Sequence, residues 1–214
     1  MANILSTAYF PPIQYFTKML DGSIRIEQWE SFQKQPYRNR CVIDTPNGAL
    51  NLTVPVEKPH DGSRLVRDLR ISDHGNWRHL HWNALVSSYY NTPFFEYYQD
   101  DFRPFYEKKY DFLIDFNEEI LMKCLELIDL QPVSLERTDA YTAHYDGNDT
   151  DLRTAISPKT DYRDDHTFRP VPYYQMFSHL HGFLPNLSIA DLLFNMGPES
   201  LQVLADCKQD SGKM

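Results

Sequence analysis

The spacing of apolar side chains changes once along this chain, near Gly75, and that change limits the fold more than any other feature. Before it, Ile24 and Ile26 alternate with Arg25 and Glu27, the period of a strand with one buried face. After it, Trp77, Leu80, His81, Ala84, Leu85 and Ser88 fall at i, i+3, i+4, i+7, i+8 and i+11, the stripe of a core-facing helix. Strands first and helices later point to an α/β protein, with α+β as the alternative. The layout expected is an N-terminal mixed sheet with a β-hairpin, followed by a predominantly helical C-terminal half. A chain of 214 residues, 42% hydrophobic and 14% aromatic, buries one core, so residues 1–214 are read as a single domain.

The first strand is expected over residues 4–10, where Pro11-Pro12 stops it. Pro12 also suits a helix start, because its missing N–H has no partner to lose there. Ile13, Phe16, Thr17 and Leu20 give that helix one face, and Asp21-Gly22 its stop. Further strands are expected over 23–30, 40–44 and 49–56, the last two joined by Pro46-Asn47-Gly48, since Asn-Gly accepts the positive φ of a tight turn. In the helical half, Thr92-Pro93 reads as a cap and first turn. Leu113, Phe116, Ile120, Leu121, Cys124, Leu125 and Ile128 mark the longest helix. A strand returns over 132–141, after which residues 143–167 are polar, acidic and almost free of aliphatic side chains. They are expected as a mobile loop and a candidate lid. Ser188-Ile189-Ala190-Asp191 resembles a capping box, Met196-Gly197-Pro198 a helix stop and restart, and 208–214 a frayed tail.

A formal charge of -9 disfavours nucleic acid as a partner, because phosphate-backbone binding needs a broad basic surface. Cys41, Cys124 and Cys207 form no CxxC pair and no even disulfide framework, so reduced thiols and a cytoplasmic location are expected. No apolar run approaches the roughly 20 residues of a membrane span, and the N-terminus lacks the basic and apolar regions of an export signal. Glycine fingerprints for nucleotides, a Walker loop, HExxH and GxSxG are absent from the sequence, which disfavours Rossmann dehydrogenases, P-loop enzymes, zincins and serine hydrolases.

Candidate chemistry lies elsewhere. In Tyr37-Arg38-Asn39-Arg40-Cys41-Val42-Ile43 a strand would project Arg38 and Arg40 to one face, two planar forks suited to a phosphate or carboxylate. The alternative is ion pairing on a solvated sheet edge. Asn39 would point the other way, as a ligand donor or a buried hydrogen-bond clamp. Gln14, at the start of the first helix, either holds an anion or ties down the Pro11-Pro12 turn. His79-Leu80-His81 and His179-Leu180-His181 do not share a helical face, so no metal site is expected. His81 falls in the core stripe, whereas His79 stays available as a general acid or base. Ser188 and Asp191 are accounted for by capping, Asn195 by helix termination, and the rings of residues 89–110 mostly by the core.

Five blocks in order carry a resemblance: Tyr9-Phe10-Pro11-Pro12-Ile13-Gln14-Tyr15-Phe16; Tyr37-Arg38-Asn39-Arg40 with Leu52-Thr53-Val54-Pro55-Val56; Asn76-Trp77-Arg78-His79; Tyr90-Asn91-Thr92-Pro93-Phe94-Phe95; and residues 186–197. The chain resembles the WbqC-like protein family. Many members carry a Tyr-Leu-Ser-Gly segment where this chain has the acidic stretch 144–165. The resemblance implies a place in bacterial surface-polysaccharide (O-antigen) synthesis, and His79 matches the end of the family's Trp-basic-His block. The function expected is a transferase acting on an activated sugar or acyl donor, such as a nucleotide sugar. In it Arg38 and Arg40, with Gln14 and Asn39, hold the donor, and His79 deprotonates the acceptor. The alternative is a non-catalytic accessory protein that binds a glycan precursor or another enzyme of the pathway. The sequence names no cofactor.

Overall fold

A computed structural model describes residues 2–20, 22–32, 36–57, 65–132, 134–145, 147 and 149–209. Its elements are β1 (Ala2–Ser6), α1 (Ile13–Thr17), β2 (Ser23–Glu27), β3 (Arg40–Ile43), β4 (Leu50–Thr53), α2 (Trp77–Tyr89), α3 (Phe95–Glu107) and α4 (Leu113–Ile128). The chain continues through β5 (Ser134–Arg137), β6 (Thr150–Asp151), α5 (Ser178–His181), α6 (Ile189–Met196) and α7 (Ser200–Cys207). This is the α/β class expected.

Among the described residues the strands form two separate sheets. In the larger, β5, β2, β1 and β6 lie side by side, all parallel, with Ile4 opposite Arg25 on one flank and Asp151 on the other. Ile4 and Leu5 are both fully buried, because β1 is central and covered on both faces, which explains an apolar run without alternation. The strand ends at Ser6, earlier than residue 10. The next residues stay buried, but Tyr9 N–H bonds Tyr37 O at 2.9 Å, Phe10 takes a positive φ of 39°, and Pro11 and Pro12 have no donor for a ladder. The smaller sheet is the β3/β4 hairpin, antiparallel from Arg40/Thr53 to Ile43/Leu50 and closed by reciprocal bonds between Thr45 and Gly48.

Helix α2 buries Trp77, His81, Leu85, Ser88 and Tyr89, while Leu80 is 59% exposed, so the core stripe is narrower than its spacing suggests. Thr92 does not start α3. Its hydroxyl donates to Tyr89 O at 2.6 Å and closes the end of α2. The helical layer meets on Phe194 of α6, whose ring lies 5.1 Å from Tyr89, 5.0 Å from Phe95 and 5.6 Å from Phe102. Just beyond, Gly197 (φ 54°) sits so close to Phe94 that a Cβ would come within 2.4 Å of its ring.

Residues 143–167, expected as a mobile loop and lid, are docked where described. They supply β6, the buried Arg153 and Ile156, and Asp165, which pairs with Lys18. A stretch poor in aliphatic residues is held here by charge-assisted hydrogen bonds together with the few apolar side chains it has, Leu152 and Ile156. The tail expected to fray starts in order: Lys208 bridges Phe168 and Gln209 N–H bonds Thr167 O, while 210–214, like Asp21 of the predicted helix stop, lie outside the described residues. Among the described residues no helix is long and apolar enough to cross a membrane.

Candidate functional site

Arg38 and Arg40 do not act as a strand pair. Residues Tyr37–Asn39 form a 3-10 turn, and β3 begins only at Arg40, so the alternation that would align the two side chains does not apply. Arg38 is buried and grips Glu30 with Nε (2.8 Å) and Nη2, and Nη2 also reaches Ser6 Oγ at 3.0 Å. The cavity it lines, of about 10 Å³, is water-sized and too small for a phosphate. Arg40 points its Nε at Thr53 Oγ1 (3.2 Å) on the neighbouring strand. Asn39 is a clamp: its Nδ2 donates to Val54 O at 2.9 Å, and Val54 N–H returns to Asn39 O at 2.8 Å. Gln14 is buried too, donating to Asp165 Oδ2 (2.8 Å) and accepting from Asn186 Nδ2 (3.2 Å), so it ties the start of α1 to two distant segments.

Ser6 ties Arg38 to the backbone of a second buried arginine, Arg153, accepting from Arg38 Nη2 and donating to Arg153 O at 3.1 Å. Arg153 Nε and Nη2 hold Asp151, Nη1 reaches Glu27 Oε2 (3.2 Å) and Thr142 O (2.9 Å), and Nη2 also reaches Ala143 O. Every donor of Arg153 is therefore spent, which makes it a clamp at the carboxyl ends of β1, β2 and β6 and leaves it nothing to offer an incoming anion. The hydrogen bonds from Arg153 hold the Asp151 carboxyl below its ordinary range.

His79 lies elsewhere, and in better company. Asn76 precedes α2 with φ 49°; no side chain caps this helix end, and no acidic residue stands in its first turn. Around that end Arg78, His79, Trp82, Asn83, Arg103 and Lys109 line a concavity of about 560 Å³. Two carboxylates share it: Asp73 accepts from Arg78 Nη1 (2.6 Å) and Lys109 Nζ (2.7 Å), and Glu107 from Arg103 Nε (2.6 Å). Lys109 and then Arg78 hold the Asp73 carboxyl below its ordinary range. Three cations thus face two anions before His79 is counted. Arg78 Nε is buried without a hydrogen-bond partner, a donor left unsatisfied beside the concavity. The exposed His79 ring is held through Nε2, 2.9 Å from Asn83 Nδ2 one turn on.

Beneath this concavity runs a buried polar chain. Tyr106 Oη lies 2.7 Å from Tyr9 Oη, which lies 3.0 Å from His81 Nδ1. Burial pulls the His81 imidazole down to about 4, so it is the neutral core histidine its spacing indicates. Sequence reading singled out His79 as a candidate and quoted Arg78 beside it. Arg103 and Lys109 carried no signal, since only the packing of α3 on α2 brings them there. Asp191, accounted for by capping, is instead fully buried, although Ser188 does cap α6 through its Oγ. Among the described residues no group of three or more His, Cys, Asp or Glu side chains is arranged to hold a metal.

No solved structure gives a significant match. The chain is 26% identical to an uncharacterized protein of Mycobacterium tuberculosis, Rv1507c, over 96% of this chain and 98% of that one. The model of the WbqC-like protein family matches residues 7–166, a span that holds the Pro11-Pro12 turn, the hairpin, His79 and Arg153. Sharing that pattern across most of its length, the chain belongs to the WbqC-like protein family.

Proposed function

We propose that this protein is a transferase that holds an anionic activated donor, a nucleotide sugar or an acyl carrier compound, in the concavity at the start of α2, and that it serves surface-polysaccharide synthesis. The observation that carries the proposal is the excess of cations around His79, at an uncapped helix end, in a protein of net charge -9. Arg103, Lys109 and Arg78 take over the donor-holding role expected of Arg38 and Arg40. Trp82 offers a flat apolar wall, and a volume of about 560 Å³ suits a cofactor-sized ligand. Asn83 Nδ2 donates to His79 Nε2 and so leaves the ring proton on Nδ1; the acceptor hydroxyl displaces that amide and gives its proton to the Nε2 lone pair.

The test is a thermal-shift and turnover assay with UDP-glucose, acetyl-CoA and inorganic phosphate. A bound donor raises the apparent melting temperature by mass action. Exposed cations contribute less than about 1 kcal/mol each, so the Arg103→Ala/Lys109→Ala double variant is the informative one and binds the donor more weakly. An unchanged shift in that variant, or no shift with any of the three compounds, overturns the proposal. A second reading, a non-catalytic binding protein, is favoured by one feature: the side-chain partner of the His79 ring is an amide, with no carboxylate to strengthen it as a base. Donor binding without turnover in the wild type, unaltered by His79→Ala, selects that reading.

A further inference from the structure

The clamp at the carboxyl edge of the parallel sheet has an open side. Trp29, Glu30, Tyr141, Asp151, Arg153 and Thr154 line a concavity of about 500 Å³ there. Its position is informative: from β1 the sheet grows through β2 and β5 on one flank and through β6 on the other, and ligands of open α/β sheets lodge where the strand order reverses, at the carboxyl ends.

Its chemistry narrows the ligand. Glu30 is gripped by Arg38 and Asp151 by Arg153, so both carboxyl groups, which line the concavity, are fixed in place, and carboxyl oxygens accept hydrogen bonds. A phosphate or carboxylate finds no free donor on Arg153 and meets two carboxyl groups. Hydroxyl groups, by contrast, find acceptors already in place. The aromatic wall supplies the complementary surface. Tyr141 is 57% exposed, and Trp29 is fixed by Nε1 donating to Thr138 O (3.0 Å) and by the Arg67 guanidinium stacked 4.2 Å from its ring centre. Rigid acceptors beside aromatic rings match the alternating hydroxyl edges and C–H faces of a saccharide ring.

We infer that the concavity between Trp29, Tyr141 and the Glu30/Asp151 carboxylates is a saccharide-binding site. It is independent of the His79 concavity. The experiment is titration of the full chain with methyl glycosides of glucose, galactose, mannose and N-acetylglucosamine, read by saturation-transfer NMR and tryptophan emission. At least one glycoside binds saturably, Tyr141→Ala weakens it about fivefold through the lost ring contact, and Asp151→Asn weakens it further. Tyr141→Ala removes an exposed ring whose guanidinium neighbour, Arg153, lies 5.3 Å from its centre and keeps its own hydrogen bonds; with an unchanged far-UV spectrum and melting temperature as the control for folding, it decides the matter even if Asp151→Asn, which loosens Arg153, fails to fold. Absence of saturable binding by all four glycosides, unchanged affinity in Tyr141→Ala, or a response to spermidine alone overturns the inference.

Discussion

Tyr89 Oη bridges a buried carboxylate and a buried backbone amide, donating to Asp191 Oδ1 at 2.9 Å while accepting the N–H of Asp44 at 3.1 Å. Tyr173 donates to the other Asp191 oxygen at 2.6 Å, and Gln175 and Asn195 add weaker bonds at 3.2 and 3.4 Å. Three segments are thus stitched together: β3 with its turn, α2, and the 173–195 region. Tyr89→Phe removes a donor and an acceptor from fully buried partners. Urea unfolding is expected to show a loss of about 1–3 kcal/mol, the range for orphaned buried polar groups. A loss within error of zero contradicts this bonding.

Burial pushes the Asp191 carboxyl up to about 6, against the hydrogen bonds from Tyr173 and Tyr89, and the nearby Asp44 adds to the rise. A carboxyl raised in the folded state binds its proton more tightly there than in the unfolded chain. Its contribution is fully present below the unfolded value of 3.8 and is lost as pH rises through about 6. Wild-type stability relative to Asp191→Asn is therefore expected to fall by on the order of 2 kcal/mol between pH 4 and 7, measured by chemical denaturation across that window. A flat difference rejects the shift.

Arg38→Met leaves Glu30 buried and unpaired. The expected destabilisation is about 3–5 kcal/mol, with recovery in the Arg38→Met/Glu30→Met double variant, because a buried pair is dispensable in a way that either half alone is not. Arg40→Ala, which removes a single bond to Thr53, is expected to change stability by less than about 0.5 kcal/mol. Equal losses for the two single variants would undo the distinction drawn between them.

All three cysteines are free and buried, and desolvation pushes each thiol above its ordinary range. In a DTNB assay the native protein is expected to react far more slowly than the urea-unfolded protein, which titrates three thiols. Rapid reaction of any thiol in the native state shows that its shielding is incomplete.

Strands other than β6, the hairpin and the long helix were legible because each is announced by an apolar pattern or by a turn residue such as Gly48, whereas β6 lay in the stretch expected as a loop. The site was legible only in part. His79 stood out as a histidine off the core face of α2, but its cationic neighbours Arg103 and Lys109 arrive from α3 and just beyond it, through tertiary packing that leaves no mark on spacing. The Arg38/Arg40 pair misled because strand alternation was extended two residues too early, into a turn shaped by Glu30. Asp191 satisfied a capping pattern in sequence, yet the hydroxyls of Tyr89 and Tyr173 drew it inward. Arg153 was hidden in a stretch whose composition resembles disorder, since ion pairs between residues 126 positions apart, as with Glu27, have no local signature.

Of the two inner strands of the sheet, β1 waits longer than β2 for its second flank. Its second neighbour, β6, is only two residues long and lies 147 positions downstream in register, Thr150 against Asn3. A nascent chain released or stalled before Asp151 therefore leaves Ile4 with one flank bare, a sticky ribbon open to pairing with other chains. Biogenesis of this protein must keep Ala2–Ser6 guarded until the ribosome has passed Asp151.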